Sequence, residues 1–123
     1  MVDGDTTGTY PREQRHIVND TDWASYWDLI HSSAGVSPPI IPVNFAISDV
    51  IAISEGQQAT SGYSYKVTAV STGDKGSIID ITESIPTVTC PVTNRPSNRY
   101  FIVRTAKLTE PVSYRTTTVY RHC

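Results

Sequence analysis

The sequence lacks a long hydrophobic run, a strong excess of charge of one sign and a cluster of histidines or cysteines. No apolar stretch approaches the roughly 20 residues that a membrane-spanning helix needs. The first nine residues also lack the charged start and apolar middle of a secretion signal. A formal net charge of -2 argues against a generic nucleic-acid or anionic-membrane surface, which would require a strongly basic face. We therefore expect no membrane span and no nucleic-acid partner.

The residues that enzyme chemistry would need are also missing. The three histidines, His16, His31 and His122, are isolated along the chain, and a zinc site would require more donors. There is no Gly-x-Ser-x-Gly elbow and no phosphate-cradling glycine loop. Asp20 and Asp22 begin like a calcium loop, but the glycine and the distal glutamate of that motif are absent, and helix capping explains them. We therefore predict a protein that is not an enzyme and holds no cofactor or metal.

A chain of 123 residues is long enough for one domain with its own core. Residues 1–9 are rich in Gly, Thr and Asp without apolar spacing, which predicts a flexible tail followed by a single domain over 10–123. The segment 19–22 offers helix caps, and an amphipathic helix is predicted from Asp20 to Ser32. Its apolar face carries Trp23, Tyr26, Trp27 and Ile30.

Beyond the helix, short β-branched and aromatic runs alternate with turn residues, which is typical of an antiparallel sheet. The fold class predicted is mainly β (β-rich α+β), with a five- to six-stranded, mostly antiparallel sheet or barrel-like sandwich and one N-terminal helix packed on it. A turn at 73–76 should join two strands as a hairpin, and residues 85–96 should form a long surface connection. The predicted strands are 13–18, 50–54, 63–71, 77–83, 100–105 and 112–121.

Two cysteines, Cys90 and Cys123, are expected to form a disulfide, because a cysteine at the final position is best explained by a partner. Closing a loop of about 33 residues would stabilise the fold by about 3 to 4 kcal/mol. A disulfide implies an oxidising, extracytoplasmic compartment, so that Met1 would stand in place of a removed signal peptide. The alternative is a pair of free thiols in a cytosolic protein.

Charge is unevenly distributed along the chain. From Cys90 onward there are six basic residues against the single acidic Glu110. This asymmetry indicates either a polarised interaction surface or the pairing of opposite charges across neighbouring strands.

The loop that Gly56 and Gly62 bracket is the candidate binding surface. Glycine tolerates the positive φ that a tight crossing needs, and small polar residues held by a rigid sheet are well placed to contact a partner. The alternatives are that the loop only turns the chain, and that Tyr63 is a core residue turned inward. The residues assigned to partner binding are Gln57, Gln58, Ala59, Thr60, Ser61, Gly62, Tyr63, Arg95 and Arg99.

The order of these features resembles the PrcB-like domain of bacterial protease-complex subunits, over most of the chain. The likeness is most specific in the Gly-x-x-x-Thr-x-Gly-Tyr stretch that begins at Gly56. The segments that carry it are Arg15-His16-Ile17-Val18, the Trp23 and Trp27 helix, Pro42-Val43-Asn44-Phe45, Val50-Ile51-Ala52-Ile53, the loop 56–65, Glu83 with Pro86, Cys90, Phe101-Ile102-Val103 and a terminal Cys.

The resemblance implies a secreted, periplasmic or surface-anchored accessory or stabilising subunit of an exported protease, with no catalytic residues to carry over. A protease inhibitor is the alternative, because Thr60-Ser61-Gly62-Tyr63 is similar to a loop of chagasin-type inhibitors and Arg95-Pro96 to another of their loops. A small hydrolase is a third hypothesis. The absence of a recognisable catalytic acid-base pair and nucleophile argues against it.

Overall fold

The computed structural model describes the backbone of residues 2–5 and all of residues 11–31 and 38–123. One helix and seven strands occur in these ranges. In chain order they are β1 (Val2–Asp5), β2 (Glu13–Ile17), α1 (Asp20–Ile30), β3 (Ser48–Ser54), β4 (Ser64–Gly73), β5 (Gly76–Pro86), β6 (Arg99–Ala106) and β7 (Val112–Arg121).

Helix α1 begins where the sequence predicts. The Asn19 side chain accepts a hydrogen bond of 2.8 Å from the Asp22 backbone N–H, which satisfies one of the free donors of the first turn. The helix ends at Ile30, two residues before the predicted end at Ser32, which lies outside the described residues. All four apolar positions that the spacing selects are buried: Trp23, Tyr26, Trp27 and Ile30.

The strands form two sheets. Sheet 1 has the order β1-β6-β3-β2 and is antiparallel throughout. Sheet 2 has the order β4-β5-β7, in which the β4–β5 hairpin is antiparallel and β7 runs parallel to β5. The mainly β fold with mostly antiparallel pairing is therefore confirmed, and the two sheets are not closed into a barrel.

Strand β3 lies between two hydrophobic cores, which explains its unbroken apolar run. Val50 and Ala52 face α1 in the first core, whereas Ile51 and Ile53 face sheet 2 in the second core. All four side chains are fully buried. A strand that is covered on both faces needs apolar residues at every position rather than at alternate ones. The molecule thus has three layers: helix, sheet 1 and sheet 2.

The predicted flexible tail is in part a strand. Val2–Asp5 pairs antiparallel with β6, from Val2 opposite Ile102 to Asp5 opposite Arg99. Met1 and residues 6–9 lie outside the described residues. Composition did not indicate this strand, because it contains little apolar spacing and its hydrogen bonds come from the edge of β6.

Candidate protein-binding surface

The loop 57–63 lies flat against another segment instead of projecting freely. Gly56 and Gly62 at its ends have φ of +87° and +98°, the left-handed region that glycine adopts without strain. Gln58 and Ser97 exchange two backbone hydrogen bonds of 2.7 and 3.0 Å. The loop therefore forms a short antiparallel bridge with the segment that precedes β6.

Further hydrogen bonds join the loop to the same segment. The Ser97 hydroxyl donates to the Thr60 carbonyl at 2.7 Å, and the Ser61 hydroxyl accepts from the Thr93 backbone N–H at 2.9 Å. The Ser61 N–H in turn donates to the Thr93 carbonyl at 3.2 Å. Small hydroxyl side chains at these positions thus connect two loops that are more than thirty residues apart in sequence.

The Cys90–Cys123 disulfide closes the far end of this region, with the two Cα atoms 4.8 Å apart. The Thr87 N–H donates to the Arg121 carbonyl at 3.0 Å, so that the end of β7 also holds the start of the loop. The predicted pairing is confirmed. The predicted surface connection is shorter than expected, since β5 continues to Pro86.

Removing the disulfide should lower the free energy of unfolding by about 3 to 4 kcal/mol, because the unfolded chain regains the entropy of a loop of 33 residues. We expect this loss for the double variant Cys90→Ala, Cys123→Ala in urea titrations. The parent protein with a reductant is the control and should lose a similar amount. Equal stability of the oxidised parent and the double variant would contradict the prediction.

Together these segments form a surface at one end of the molecule. We call it the disulfide-end surface and define it as residues 57–63 and 87–97 with Arg121. Val88 is fully exposed, and Val92 is 40% exposed beside Gly62. A Cβ at Gly62 would lie 2.9 Å from Val92 Cγ1 and 3.3 Å from Arg121 Nη2, so this glycine permits the close packing.

The disulfide-end surface carries only positive side-chain charge. Arg95 and Arg121 are exposed, and none of the residues in the defined ranges is Asp or Glu. No acidic residue occurs between Glu83 and Glu110. The surface thus combines exposed valines with arginines and carries no side-chain carboxylate.

The predicted contact residues differ in accessibility. Gln57 and Ala59 are exposed at the loop tip, and Arg95 is exposed on the neighbouring segment. The others are half-buried, Gln58 through its bridge and Tyr63 at the end of the loop. Arg99 is half-buried at the start of β6, where its charge acts on Glu55. The half-buried predicted residues are Gln58, Thr60, Ser61, Gly62, Tyr63 and Arg99.

A pair of buried carboxyl groups lies at the base of the loop. Glu55, which directly precedes Gly56, is 1% exposed, and Glu83 of β5 is 7% exposed. Arg12 donates to both oxygens of Glu83, at 2.8 and 3.3 Å, and its guanidinium stacks 4.8 Å from the centre of the Tyr65 ring. Glu83 is therefore the charged member of the pair.

Glu55 is the protonated member. Burial, followed by the hydrogen bond with Glu83 and the charge of Glu83, raises the pKa of Glu55 to about 8. Burial acts to raise the pKa of Glu83 as well, but the hydrogen bonds from Arg12 and Glu55 outweigh it and lower that pKa. Within the described residues neither Glu55 oxygen accepts a hydrogen bond from a donor group. Two neighbouring carboxyls can hydrogen-bond only if one of them keeps its proton.

A second polar cluster centres on Asp49, which is 1% exposed at the start of β3. It accepts hydrogen bonds from Lys107 Nζ at 2.6 Å and from the Leu108 N–H at 3.0 Å. His16 Nε2 lies 2.8 Å from Asp49, and His16 Nδ1 lies 3.2 Å from Glu110 Oε1. Carboxylates therefore lie beside both ring nitrogens, and the cluster ties the β6–β7 connection to sheet 1.

Sequence reasoning did not find either cluster. His16 appeared isolated because its partners are 33 and 94 residues away along the chain. Glu55 and Glu83 were not predicted as a pair, because they too are far apart along the chain. The one local signal was an acidic residue, Glu55, placed directly after the end of β3.

In the part of the chain that the structure describes, no group of three His, Cys, Asp or Glu side chains could hold a metal ion. No helix there is long and apolar enough to cross a membrane.

Comparison with known proteins identifies one family. The family described as PrcB C-terminal matches residues 50–106, which run from β3 to the end of β6 and include the loop 57–63, Glu83 and Cys90. The predicted resemblance to PrcB-like domains is thereby confirmed over this segment, which is less than half of the chain. No curated protein and no solved structure matches.

Proposed function

We propose that this protein is a non-catalytic, extracytoplasmic binding module that acts as an accessory or stabilising subunit of an exported protease, and that the disulfide-end surface contacts the partner. The observation that carries the proposal is the union of the loop 57–63 with the segment 91–97 through Gln58 and Ser97. The family match supports the association with a protease complex.

The chemistry of the surface supports protein binding. Exposed Val88 and Val92 offer apolar area, Arg95 and Arg121 offer cationic groups, and rigid loops reduce the entropy lost on association. The partner surface that fits this chemistry is apolar with carboxylates at its rim. The Cys90–Cys123 disulfide supports an oxidising compartment.

Protease inhibition is the second candidate, and one observation favours it. The segment with Thr60-Ser61-Gly62-Tyr63 and the segment with Arg95-Pro96 are neighbours, because Gln58 and Ser97 pair between them. Two adjacent loops of this kind could enter the cleft of a protease together. The effect on activity separates the two roles: an accessory subunit preserves or raises proteolysis, whereas an inhibitor lowers it.

A charge placed on the surface should weaken partner binding without loss of stability. We expect Ala59→Asp and Val92→Asp to weaken partner binding by more than tenfold, about 1.4 kcal/mol or more. The immobilised protein is exposed to the secreted proteins of its source, and the captured proteolytic activity is measured with a casein substrate.

Ala24→Asp, on the exposed side of α1, is the matched control and should capture as much activity as the parent. Failure of the parent to capture proteolytic activity would overturn the accessory role. Full capture by both surface variants would place the interface elsewhere on the molecule.

A further inference from the structure

Strand β7 is an unprotected edge of sheet 2. Its only strand neighbour among the described elements is β5, and the register between the two runs unbroken along all 10 residues of β7. Natural proteins block unwanted pairing at an edge with proline, with bulges and with charged side chains, lysine above all. The strand contains no proline or lysine, and its pairing shows no bulge. Its charged side chains are Arg115, which is paired with Asp80, and Arg121 at the last position. Most of β7 is therefore open as a template for a further strand.

The hydrogen bonds with β5 show which groups of β7 face outward. The Pro111 carbonyl accepts from the Ser77 N–H, and the Arg121 carbonyl accepts from the Thr87 N–H, each at 3.0 Å. Directions alternate along a strand, so odd-numbered residues of β7 turn their backbone groups toward β5. The even-numbered residues direct both N–H and C=O to the free edge: Val112, Tyr114, Thr116, Thr118 and Tyr120.

The side chains of these even-numbered residues lie on the inner face of sheet 2. Val112 and Tyr114 pack against the second core. Thr116 and Thr118 are exposed, and Tyr120 is 61% exposed. The C-terminal half of β7 therefore extends beyond the part of sheet 2 that sheet 1 covers. Its apolar and hydroxyl side chains are exposed next to the free backbone groups.

We propose that β7 pairs antiparallel with β7 of a second copy of this chain about a two-fold axis at Thr117. In this register each Thr116 faces Thr118 of the other copy, and each Tyr114 faces Tyr120. About eight backbone hydrogen bonds would join the copies, and sheet 2 would continue across the axis. The dimer rests on β7, shares only Arg121 with the disulfide-end surface and does not depend on the protease-associated function.

Side-chain pairing favours a second copy as the occupant, because the even-numbered residues Tyr114, Thr116, Thr118 and Tyr120 read the same in both directions about Thr117. Direct charge opposition and the tyrosine pair together select the register. Arg115 faces Val119 of the second copy and Arg121 faces Ser113, so no arginine stands directly opposite another. A shift that centres the axis on Thr118 would set Arg115 against Arg121, which is unfavourable. A shift that centres it on Thr116 would lose the tyrosine pair. Threonine and tyrosine pairs across an axis at Thr117 are the cross-strand contacts that stabilise antiparallel strands.

Sedimentation velocity of the oxidised protein tests the dimer. We expect a monomer–dimer equilibrium between about 1 and about 100 µM, and Thr117→Lys should raise the dimer Kd by more than tenfold because two ammonium groups meet at the axis. Thr117 lies on the exposed outer face, so the variant should fold. Thr21→Lys, at the exposed start of α1, is the matched control and should dimerise like the parent.

Cross-linking tests the register. Residues that face each other without mutual hydrogen bonds have Cα atoms about 4.5 Å apart, within reach of a disulfide. Thr117→Cys should therefore give a linked dimer on mild oxidation, whereas Ser113→Cys should not. A monomer at every concentration, a dimer that Thr117→Lys leaves intact, or equal linking through both cysteines would each overturn the proposal.

Discussion

Trp27→Ala should lower the free energy of unfolding by about 3 to 5 kcal/mol, a large part of the total stability of an ordinary domain. Trp27 is 5% exposed, and its ring centre lies 5.5 Å from that of Trp23 and 4.5 Å from that of His31. Its indole N–H donates to the Pro38 carbonyl at 2.9 Å. The substitution would leave a cavity between α1 and sheet 1 and would remove the hydrogen bond that holds Pro38.

Leu29→Ala provides the control on the same helix, because Leu29 is 42% exposed. Its loss should remain below about 1 kcal/mol, as is usual for surface positions. Circular dichroism in urea reports both transitions without depending on tryptophan emission. Equal midpoints for the two variants would show that α1 is not part of the core.

The stability of the protein should fall as the pH rises from about 4.5 to about 8, with Glu55 as the cause. The pKa of Glu55 is about 8 in the folded state, against an ordinary value of 4.5. The folded state therefore binds more protons than the unfolded state in this window, so its stabilisation is complete below pH 4.5 and is lost as the pH approaches 8. The slope reaches at most about 1.4 kcal/mol per pH unit.

Glu55→Gln should remove most of this slope, because the amide N–H2 can donate to Glu83 and does not ionise in this range. Urea titrations at pH 5, 7 and 9 give the unfolding free energy of parent and variant. At pH 9 the variant should be the more stable of the two. Asp28→Asn, which removes an exposed carboxylate from α1, should keep the slope of the parent. Parallel curves for the parent and Glu55→Gln would refute the shared proton.

The carboxyl pair also connects pH to the candidate surface. Glu55 directly precedes Gly56, the first of the two glycines that bracket the loop 57–63. Ionisation of Glu55 would place two negative charges together between the sheets, with Arg12 and Arg99 as the nearest positive groups. For this reason, partner binding measured at alkaline pH should be compared with the free energy of unfolding measured at the same pH.

Local sequence patterns correctly predicted those parts of the fold that depend on residues close together in the chain. The Asn19 cap and the 3.6-residue spacing of the apolar positions predicted α1 to within two residues of its end. Alternating and continuous apolar runs predicted six of the seven strands. The cysteine pair predicted the Cys90–Cys123 disulfide, which is possible only if the end of β7 meets the loop after β5.

Partnerships between distant residues could not be predicted, because they depend on which strands become neighbours. β7 runs parallel to β5 because the chain leaves sheet 2 after β5, forms β6 in sheet 1 and then returns to sheet 2 as β7. No local sequence pattern specifies this path. His16 appeared isolated until β2, β3 and the β6–β7 connection brought carboxylates to both of its nitrogens. The loop 57–63 was expected as a binding surface, but its union with the segment 91–97 required the bridge between Gln58 and Ser97.

The sequence by itself determined the mainly β fold class, the amphipathic helix, the disulfide and the glycine-bracketed loop. Each of these depends on the backbone preferences of neighbouring residues, on periodic burial or on a unique pair of thiols. Only the tertiary structure decided that Glu55 keeps a proton beside Glu83, that arginines and valines meet at the disulfide end, and that β7 is left as a free edge. Charge, desolvation and strand pairing act through space, and the fold sets those distances.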